Sequence, residues 1–319
     1  MTYVLLVLGF VLLIKGADFF VEGSSAVAKK LHVPSFIIGL TIVALGTSLP
    51  EFAVSVTASA TGNNALAVSN VVGSNIFNLM VVCGASALFM PLAVEISTLK
   101  KEFPFSILIG VLLLILGYIG MQVGRIDGLI LTALFIVFLV WMVKSALKAR
   151  AKGEGATEEA ELDEDTERLR SFPAWKCVLY IIGGMIAIAF GGDMVVNSAS
   201  QIAADFGLSQ NLIGLTIVAM GTSLPELVTS VVAARKKEVD MALGNVIGSN
   251  IFNVLFVLGL SSVISPIAFI MENVIDIVIL TIMSLIVWGF GWSKQKIGRV
   301  EGALMLVAYA GYMVYICIR

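Results

Sequence analysis

One block of sequence occurs twice in this 319-residue chain. Residues 39–78 and 214–253 align without a gap, and 24 of the 40 aligned positions are identical. In each copy an apolar segment is interrupted by Gly-Thr-Ser-Leu-Pro-Glu, at 46–51 and at 221–226. Because an internal repeat marks two copies of one structural unit, the chain is constrained to fold as two equivalent halves. Each half has one broken apolar segment that carries a carboxylate.

The composition places these halves in a membrane, since 59% of the residues are hydrophobic and only 13% are charged. Ten apolar runs are long enough to cross about 30 Å of hydrocarbon. They start near Tyr3, Phe36, Ala65, Phe103, Ile126, Trp175, Leu212, Met241, Glu272 and Val300. No basic residues precede the first run, which favours a first span over a cleaved signal. We therefore predict an all-α integral membrane protein of ten transmembrane helices, five in each repeat.

The predicted boundaries are a first five-helix repeat over 1–147, a linker over 148–171 and a second repeat over 172–319. The linker has eight acidic residues between Glu154 and Glu167 and few apolar ones, which is typical of a solvated, irregular segment. A calcium-sensing acidic strip is the alternative. That alternative is less favoured because the spaced Asp, Asn and Gly residues of a calcium loop are missing.

The distribution of basic residues predicts the orientation. Of the 20 lysines and arginines, all but Lys15, Arg125 and Arg319 follow odd-numbered spans or lie in the linker. Such loops face the cytoplasm, so we expect both termini outside the cell membrane and the acidic linker inside. An odd number of spans per half forces the two repeats into opposite orientations. This is the inverted-repeat arrangement of secondary transporters, whose substrate sites lie at broken helices near the midplane.

Glu51 and its repeat equivalent Glu226 are the central candidates for function. A glutamate near a helix end can simply extend its carboxylate to the interface. Glu51, however, lies well inside a segment that runs from about Phe36 to Ala60, and intramembrane acids are costly and usually functional. Its duplication at Glu226 favours a functional role further. Asp18 is predicted instead to pair with Lys15 at the membrane boundary.

The residues around Glu51 can supply further oxygen atoms. Pro50 has no N–H, and its ring displaces the carbonyl of Gly46, which is then expected to need another partner. Thr47 and Ser48 precede Glu51 by four and three residues, so their hydroxyls share the face of the carboxylate.

The next predicted span adds Asn70, Ser74 and Asn78 at intervals of four residues, and Gly73 beside them is expected to let another helix approach closely. The second half repeats the polar set with Thr222, Ser223, Glu226, Asn245, Ser249 and Asn253. Carboxylate, hydroxyl and amide oxygens suit hard cations such as Ca²⁺ and Na⁺. One such cage can hold either ion load but not both together, as an exchanger requires.

Other function classes are excluded or disfavoured by the sequence. His32 is the single histidine, and the three cysteines form no C-x-x-C pair, so a histidine or cysteine metal centre is not expected. No phosphate-binding glycine loop and no basic cluster for nucleic acid occur. We predict a non-enzymatic membrane protein with no cofactor, no nucleic acid and no obligatory protein partner, embedded in the lipid bilayer.

The doubled Gly-Thr-Ser-Leu-Pro-Glu, each followed by Gly-Ser-Asn-Ile-Phe-Asn, resembles the alpha repeats of the sodium/calcium exchanger family, within the cation/calcium antiporters. The resemblance covers nearly the whole chain and is to the minimal, prokaryotic form. It implies alternating access, in which spans 1 and 6 slide against a bundle that carries the ions. It implies an ion site formed by Glu51, Glu226, Thr47, Ser48, Ser74, Asn78, Thr222, Ser223, Ser249, Asn253 and the carbonyls of Ala44 and Ala219. Some relatives, including potassium-dependent ones, have Asp at the position of Asn253, so Asn here disfavours potassium co-transport.

The sequence thus predicts a secondary active antiporter that exports Ca²⁺ in exchange for Na⁺. A proton/calcium antiporter, in which Glu51 and Glu226 exchange protons, is the alternative within the class, and the Thr-Ser pair before Leu-Pro-Glu favours sodium. A passive cation channel is the alternative from another class, but it needs no duplicated broken site. A sodium-coupled carrier of organic solutes would need aromatic or apolar pocket residues near the carboxylates, and the motif has few.

Overall fold

The computed structural model describes residues 1–62, 64–152, 164–208 and 213–318, and these residues are almost entirely helical. The first half contains α1 (Thr2–Leu31), α2 (Ser35–Thr47, with a π-helical turn at Gly39–Val43), α3 (Leu49–Ala60), α4 (Asn64–Phe77, a π-helical segment at Asn78–Val82, and Cys83–Phe89), α5 (Ile96–Lys100), α6 (Glu102–Tyr118) and α7 (Arg125–Lys152). The second half contains α8 (Glu164–Arg170), α9 (Ala174–Asp205), a π-helical turn at Gly214–Val218, α10 (Ala219–Gly221), α11 (Leu224–Arg235), α12 (Val239–Phe252, a π-helical segment at Asn253–Leu258, and Gly259–Ile264), α13 (Met271–Lys294) and α14 (Arg299–Ile318).

The predicted all-helical membrane fold is confirmed. Among the described residues, eight helices are long and apolar enough to cross a membrane, and α2 with α3, bent by 48°, makes a ninth if the pair is one broken span. Nine of the ten predicted span starts lie within two residues of an observed helix start. The remaining start, Leu212, lies outside the described residues, so the count of ten stays a prediction.

Two short strand pairs connect the halves. β1 (Leu92–Ala93) pairs antiparallel with β4 (Lys296–Ile297), and β2 (Gln122–Val123) pairs antiparallel with β3 (Ile267–Ala268). β1 follows α4, and β3 follows α12, the repeat equivalent of α4. The pairing of β3 with β2 therefore repeats the pairing of β1 with β4, with the two halves exchanged.

The first helices of the two halves, α1 and α9, pack against each other along their lengths. Gly9 contacts Val195, whereas Gly23 contacts Tyr180, so the two helices run in opposite directions. A Cβ atom added at either glycine, or at Gly16 between them, would lie about 3 Å from atoms of α9. Small residues therefore allow these two long helices to approach closely.

The central helices are α4 and α12. In their spans 78% of the residues are buried inside the protein, against 33% or less in the other long single helices. This burial fits helices that carry polar side chains, because polar groups at membrane depth are tolerated where protein covers them.

A helix approaches closely at Gly248, the repeat equivalent of Gly73. A Cβ built at Gly248 would lie 2.5 Å from the carbonyl oxygen of Leu40, because α2 crosses directly over α12, where Gly244 likewise faces the carbonyl of Phe36. The equivalent neighbours of Gly73 would be Leu215 and Ala219, whose side chains lie outside the part of the chain that the structure describes, so the close approach expected at Gly73 stays a prediction.

The end of the acidic linker is packed rather than solvated throughout. Leu169 of α8 is buried with Ala26 and Cys177, and with Phe172 just beyond the predicted linker, because α8 lies against α1. Most of the acidic strip, 153–163, falls outside the described residues, and the three-part domain division stays a prediction.

Ion pairs join α1 to its neighbours at one end of the molecule. Lys15 Nζ lies 3.8 Å from Asp18 Oδ2, as predicted, but this lysine is 68% exposed and the pair contributes little. Lys236, just after α11, lies 3.5 Å from Asp18 Oδ1 and 3.9 Å from Glu22 Oε2. Asp18 therefore has a structural role that connects α1 with the end of α11.

The close packing at Gly248 gives a testable prediction. Gly248→Ala should lower the unfolding free energy by about 1–3 kcal/mol, because the added methyl group overlaps the carbonyl of Leu40. Gly289→Ala is the control, since Gly289 is exposed within α13 and no described atom lies within 4 Å of a Cβ built there. It should be neutral or slightly stabilising, because alanine favours a helix by about 1 kcal/mol over glycine. Thermal unfolding in detergent measures both, and an equal loss in the two variants would contradict this packing.

Candidate cation site

The bend between α2 and α3 has a local cause. α2 ends at Thr47, Ser48 has non-helical dihedral angles (φ −84°, ψ 10°), and Pro50 lies in the first turn of α3. Proline is well tolerated there because that N–H has no partner inside the helix. The expected kink at the carbonyl of Gly46 is thus replaced by a complete break at Ser48. The break places Glu51 in the first turn of α3, where the helix dipole favours a negative charge.

The two glutamates are joined crosswise to serines of the opposite repeat. Ser48 Oγ donates a hydrogen bond to Glu226 Oε1 over 2.8 Å, and Ser223 Oγ donates one to Glu51 Oε1, also over 2.8 Å. All four residues are fully buried. The breaks before α3 and α11 therefore meet at one place inside the protein, as the sequence predicts for a shared site.

The second oxygen of each carboxylate has no partner among the described residues. Oε2 of Glu51 and Oε2 of Glu226 are both buried, and no described donor lies within hydrogen-bond distance of either. Within the part of the chain that the structure describes, no lysine or arginine forms an ion pair with either group. A buried, uncompensated carboxylate costs several kcal/mol, so the pair requires a bound cation or protons.

Neutral oxygen atoms surround the carboxylates. Ser74 Oγ lies 3.5 Å from Glu51 Oε1, at the limit of a hydrogen bond. Thr47 Oγ1 donates to Asn245 Oδ1 over 3.1 Å, and Ser249 Oγ lies 3.5 Å from the same oxygen. Contacts thus involve seven of the predicted ion ligands, together with Asn245, from both halves around the two breaks.

Three more predicted residues have buried polar atoms without a protein partner among the described residues. These atoms are both amide atoms of Asn78, Thr222 Oγ1 and Asn253 Oδ1. The carbonyl of Ala44 accepts the N–H of Ser48 over 3.1 Å and also lies 3.4 Å from Thr47 Oγ1. Ala219 begins α10 at the equivalent position. Buried groups of this kind are normally satisfied, so this set is suited to a ligand.

The sequence did not reveal four supporting residues. Ser55 accepts a hydrogen bond from Asn70 over 3.0 Å, and Ser230 accepts one from Asn245 over 2.9 Å. Asn75 and Asn250 connect α4 with α12. Each of these residues is the same in both copies of the repeat, and this was the signal that could have revealed them. Helical spacing from Glu51, however, does not show which helix they contact.

Chemically, the site offers two carboxylates and neutral oxygens. No group of three or more histidine, cysteine, aspartate or glutamate residues that could hold a metal occurs in the described ranges. Hydroxyl, amide and carbonyl oxygens therefore have to complete the coordination. Ca²⁺ takes about six to eight oxygens at flexible geometry, and Na⁺ also prefers such hard ligands.

Comparison with known proteins agrees with this chemistry. The family model described as sodium/calcium exchanger protein matches residues 1–144 and 176–318. CaxA of Alkalimonas amylolytica is 40% identical over 97% of this chain and 96% of its own length. The sodium/calcium exchanger MaX1 of Methanosarcina acetivorans is 32% identical over 98% of this chain and 97% of its own. A solved structure of the sodium-calcium exchanger NCX_Mj superimposes with a TM-score of 0.83 at 32% identity, over 99% of this chain and 98% of that one.

The uncompensated carboxylates predict how cations affect stability. Ca²⁺ should raise the melting temperature of the wild-type protein, since a ligand at 100 times its Kd stabilises by about 2.7 kcal/mol. Glu51→Gln and Glu226→Gln should each lose most of this shift, because one carboxylate leaves a divalent ion under-compensated. The measurement is thermal unfolding in detergent with and without Ca²⁺.

Glu102→Gln is the matched control for that experiment. Glu102 is also a buried carboxylate, 7% exposed, with an unpartnered Oε2, but it lies at the start of α6 and outside the site. This variant should keep the full rise in melting temperature that Ca²⁺ causes in the wild-type protein. Retention of the shift by Glu51→Gln or Glu226→Gln would remove that residue from the site.

Proposed function

The chain belongs to the sodium/calcium exchanger protein family, and on that premise we propose that it exchanges Na⁺ for Ca²⁺ across a membrane as a secondary active antiporter. The family consists of transporters and not of enzymes. The protein is a multi-pass integral membrane protein and a cation/Ca²⁺ antiporter. The identity of the driving ion is the part that we propose here.

The observation that carries the proposal is the crosswise pair of glutamates. Two carboxylates compensate the charge of one Ca²⁺, and both are held by serines of the opposite half. More than two Na⁺ in the same cage would leave an excess of positive charge. Ca²⁺ and a Na⁺ load therefore exclude each other, and this exclusion is what couples their movements in opposite directions.

We further propose that the chain has ten spans in two inverted repeats, with Glu51, Glu226 and the other predicted residues as ion ligands. The antiparallel packing of α1 and α9 supports the inversion. The exchanged strand pairs and the crosswise hydrogen bonds of Ser48 and Ser223 also support the inversion, since each of these contacts has a counterpart in the other half. Both termini then lie outside the cell, and the acidic linker lies in the cytoplasm.

The two halves differ in how their site helices are covered. An open groove of about 440 Å³ runs along α3, lined by Ala53, Val54, Thr57, Ala58, Thr61 and Leu66. Thr57 is exposed, whereas its equivalent on α11, Val232, is only 5% exposed because α1 packs along α11. With the proposed orientation, this conformation opens toward the outside. Sliding of α1 and α9 would cover α3 and uncover α11.

A proton/calcium antiporter is the second candidate. It is supported by the unpartnered Oε2 atoms of Glu51 and Glu226, which can accept protons as well as coordinate ions. In that mechanism two protons, rather than sodium ions, neutralise the carboxylates during the return step.

Flux into vesicles distinguishes the two. Purified protein in vesicles loaded with Na⁺ should take up external Ca²⁺, and vesicles with K⁺ inside, or with only an acidic interior, should not. External Na⁺ should raise the KM for Ca²⁺ without lowering the maximal rate, because the two ions compete for one cage.

Two outcomes of that experiment contradict the proposal. Ca²⁺ uptake that is driven by an acidic vesicle interior and does not depend on Na⁺ would establish the proton mechanism. Ca²⁺ flux that requires no counter-ion would indicate a passive channel. Vesicles that contain the Glu226→Gln variant give the background rate of Ca²⁺ uptake for both measurements.

Cysteine labelling tests the conformation with matched positions. Thr57→Cys should react with an impermeant thiol reagent from outside, and Val232→Cys, its repeat equivalent, should be protected from both sides in the same state. Lys237→Cys should react only from the cytoplasm, because it follows α11. Labelling of position 237 from outside would contradict the topology, and a protected position 57 with a reactive position 232 would reverse the assigned state.

A further inference from the structure

Two asparagines connect the central helices α4 and α12. Asn75 Nδ2 donates to the carbonyl oxygen of Asn250 over 3.2 Å, and Asn250 Nδ2 donates to the carbonyl oxygen of Asn75 over 3.3 Å. Both residues are buried, at 2% and 7% exposure. They are repeat equivalents, so these two hydrogen bonds are one contact seen from each half. Neither residue belongs to the predicted ion ligands.

A third hydrogen bond breaks this equivalence. Asn253 Nδ2 donates to Asn75 Oδ1 over 3.1 Å. The corresponding bond in the other half would join Asn78 Nδ2 to Asn250 Oδ1, but both of those atoms are buried without a partner among the described residues. Asn75 therefore holds a side chain of the candidate site, whereas Asn250 holds none.

This chain of bonds determines which atom of Asn253 is free to bind an ion. A main-chain carbonyl can only accept, so Asn75 must turn its NH₂ group toward Asn250 and its Oδ1 toward Asn253. Asn253 must then turn its own NH₂ group toward Asn75. Its Oδ1 is consequently left buried and without a protein partner. An amide coordinates a cation through oxygen and not through NH₂, so this orientation is the productive one.

We propose that Asn75 is a positioning residue for the ion site, which fixes the amide of Asn253 with its oxygen available to the transported cation. This inference rests on the proposed function, because it takes Asn253 as a ligand. Asn253 is oriented before the ion arrives, whereas the unbonded amide of Asn78 must be ordered by the ion itself, and preorganised ligands bind more tightly. An aspartate at position 253 has no donor for Asn75 when ionised, so Asn75 also matches asparagine at this position.

The two repeat-equivalent asparagines offer a matched experiment. Asn75→Ala and Asn250→Ala each remove one donor to a main-chain carbonyl, over 3.2 and 3.3 Å, so both should lower the melting temperature to a similar extent. Only Asn75→Ala also removes the acceptor for Asn253. It should raise the KM for Ca²⁺ in Na⁺-loaded vesicles by about three- to tenfold, the effect of one net hydrogen bond, and Asn250→Ala should leave the KM near the wild-type value.

A double variant shows whether Asn75 acts through Asn253. In the background of Asn253→Ala, the additional change Asn75→Ala should raise the KM no further, since the side chain that it orients is gone. Equal KM values for Asn75→Ala and Asn250→Ala, or additive effects of Asn75→Ala and Asn253→Ala, would overturn the inference. If Asn75→Ala does not insert, Asn253→Ala must raise the KM more than Asn78→Ala, and the reverse order would also overturn it.

The same assay separates this inference from the function on which it rests. Wild-type protein without Na⁺-driven Ca²⁺ uptake would contradict the proposed function. Normal wild-type exchange, with indistinguishable Asn75→Ala and Asn250→Ala variants, would contradict only the positioning role.

Discussion

The structure depends on two buried carboxylates, Glu51 and Glu226, neither of which forms an ion pair with a described lysine or arginine. Each is held through one oxygen by a serine of the opposite half, Ser223 for Glu51 and Ser48 for Glu226, and each leaves its other oxygen free. Removing such groups from water is costly, so the surrounding helices must supply polar atoms in place of solvent. The breaks at Ser48 and Ser223 serve this purpose, because they turn hydroxyls and helix N-termini toward the carboxylates.

Much of this arrangement could be predicted because it is local. The repeat and the break before Pro50 follow from the residues of one segment, and nine span starts follow from hydropathy. The crosswise partner of Ser48 could not be predicted, since it lies 178 residues away. Helical periodicity carries no information about which distant segment a side chain will meet.

The same limit explains the wrong expectation about the linker. Its end was expected to be solvated on composition alone, yet Leu169, inside the predicted linker, is apolar and is buried with Ala26 of α1. Short apolar contacts of this kind are hidden in a segment whose average is strongly polar.

The differences between identical residues also bear on how the protein can move. Asn75 holds Asn253 while Asn250 and Asn78 remain apart, and α1 covers α11 while α3 lies open to a groove. Because the residues in the asparagine contacts are the same in both halves, exchanging those contacts between halves would replace each interaction with one of the same kind. If the proposed alternation exchanges these contacts, the second conformation has interactions of the same kind, and the differential binding of an ion can shift the population between the two conformations. On the proposed function, a duplicated site of identical residues then needs no source of energy other than the ion gradients.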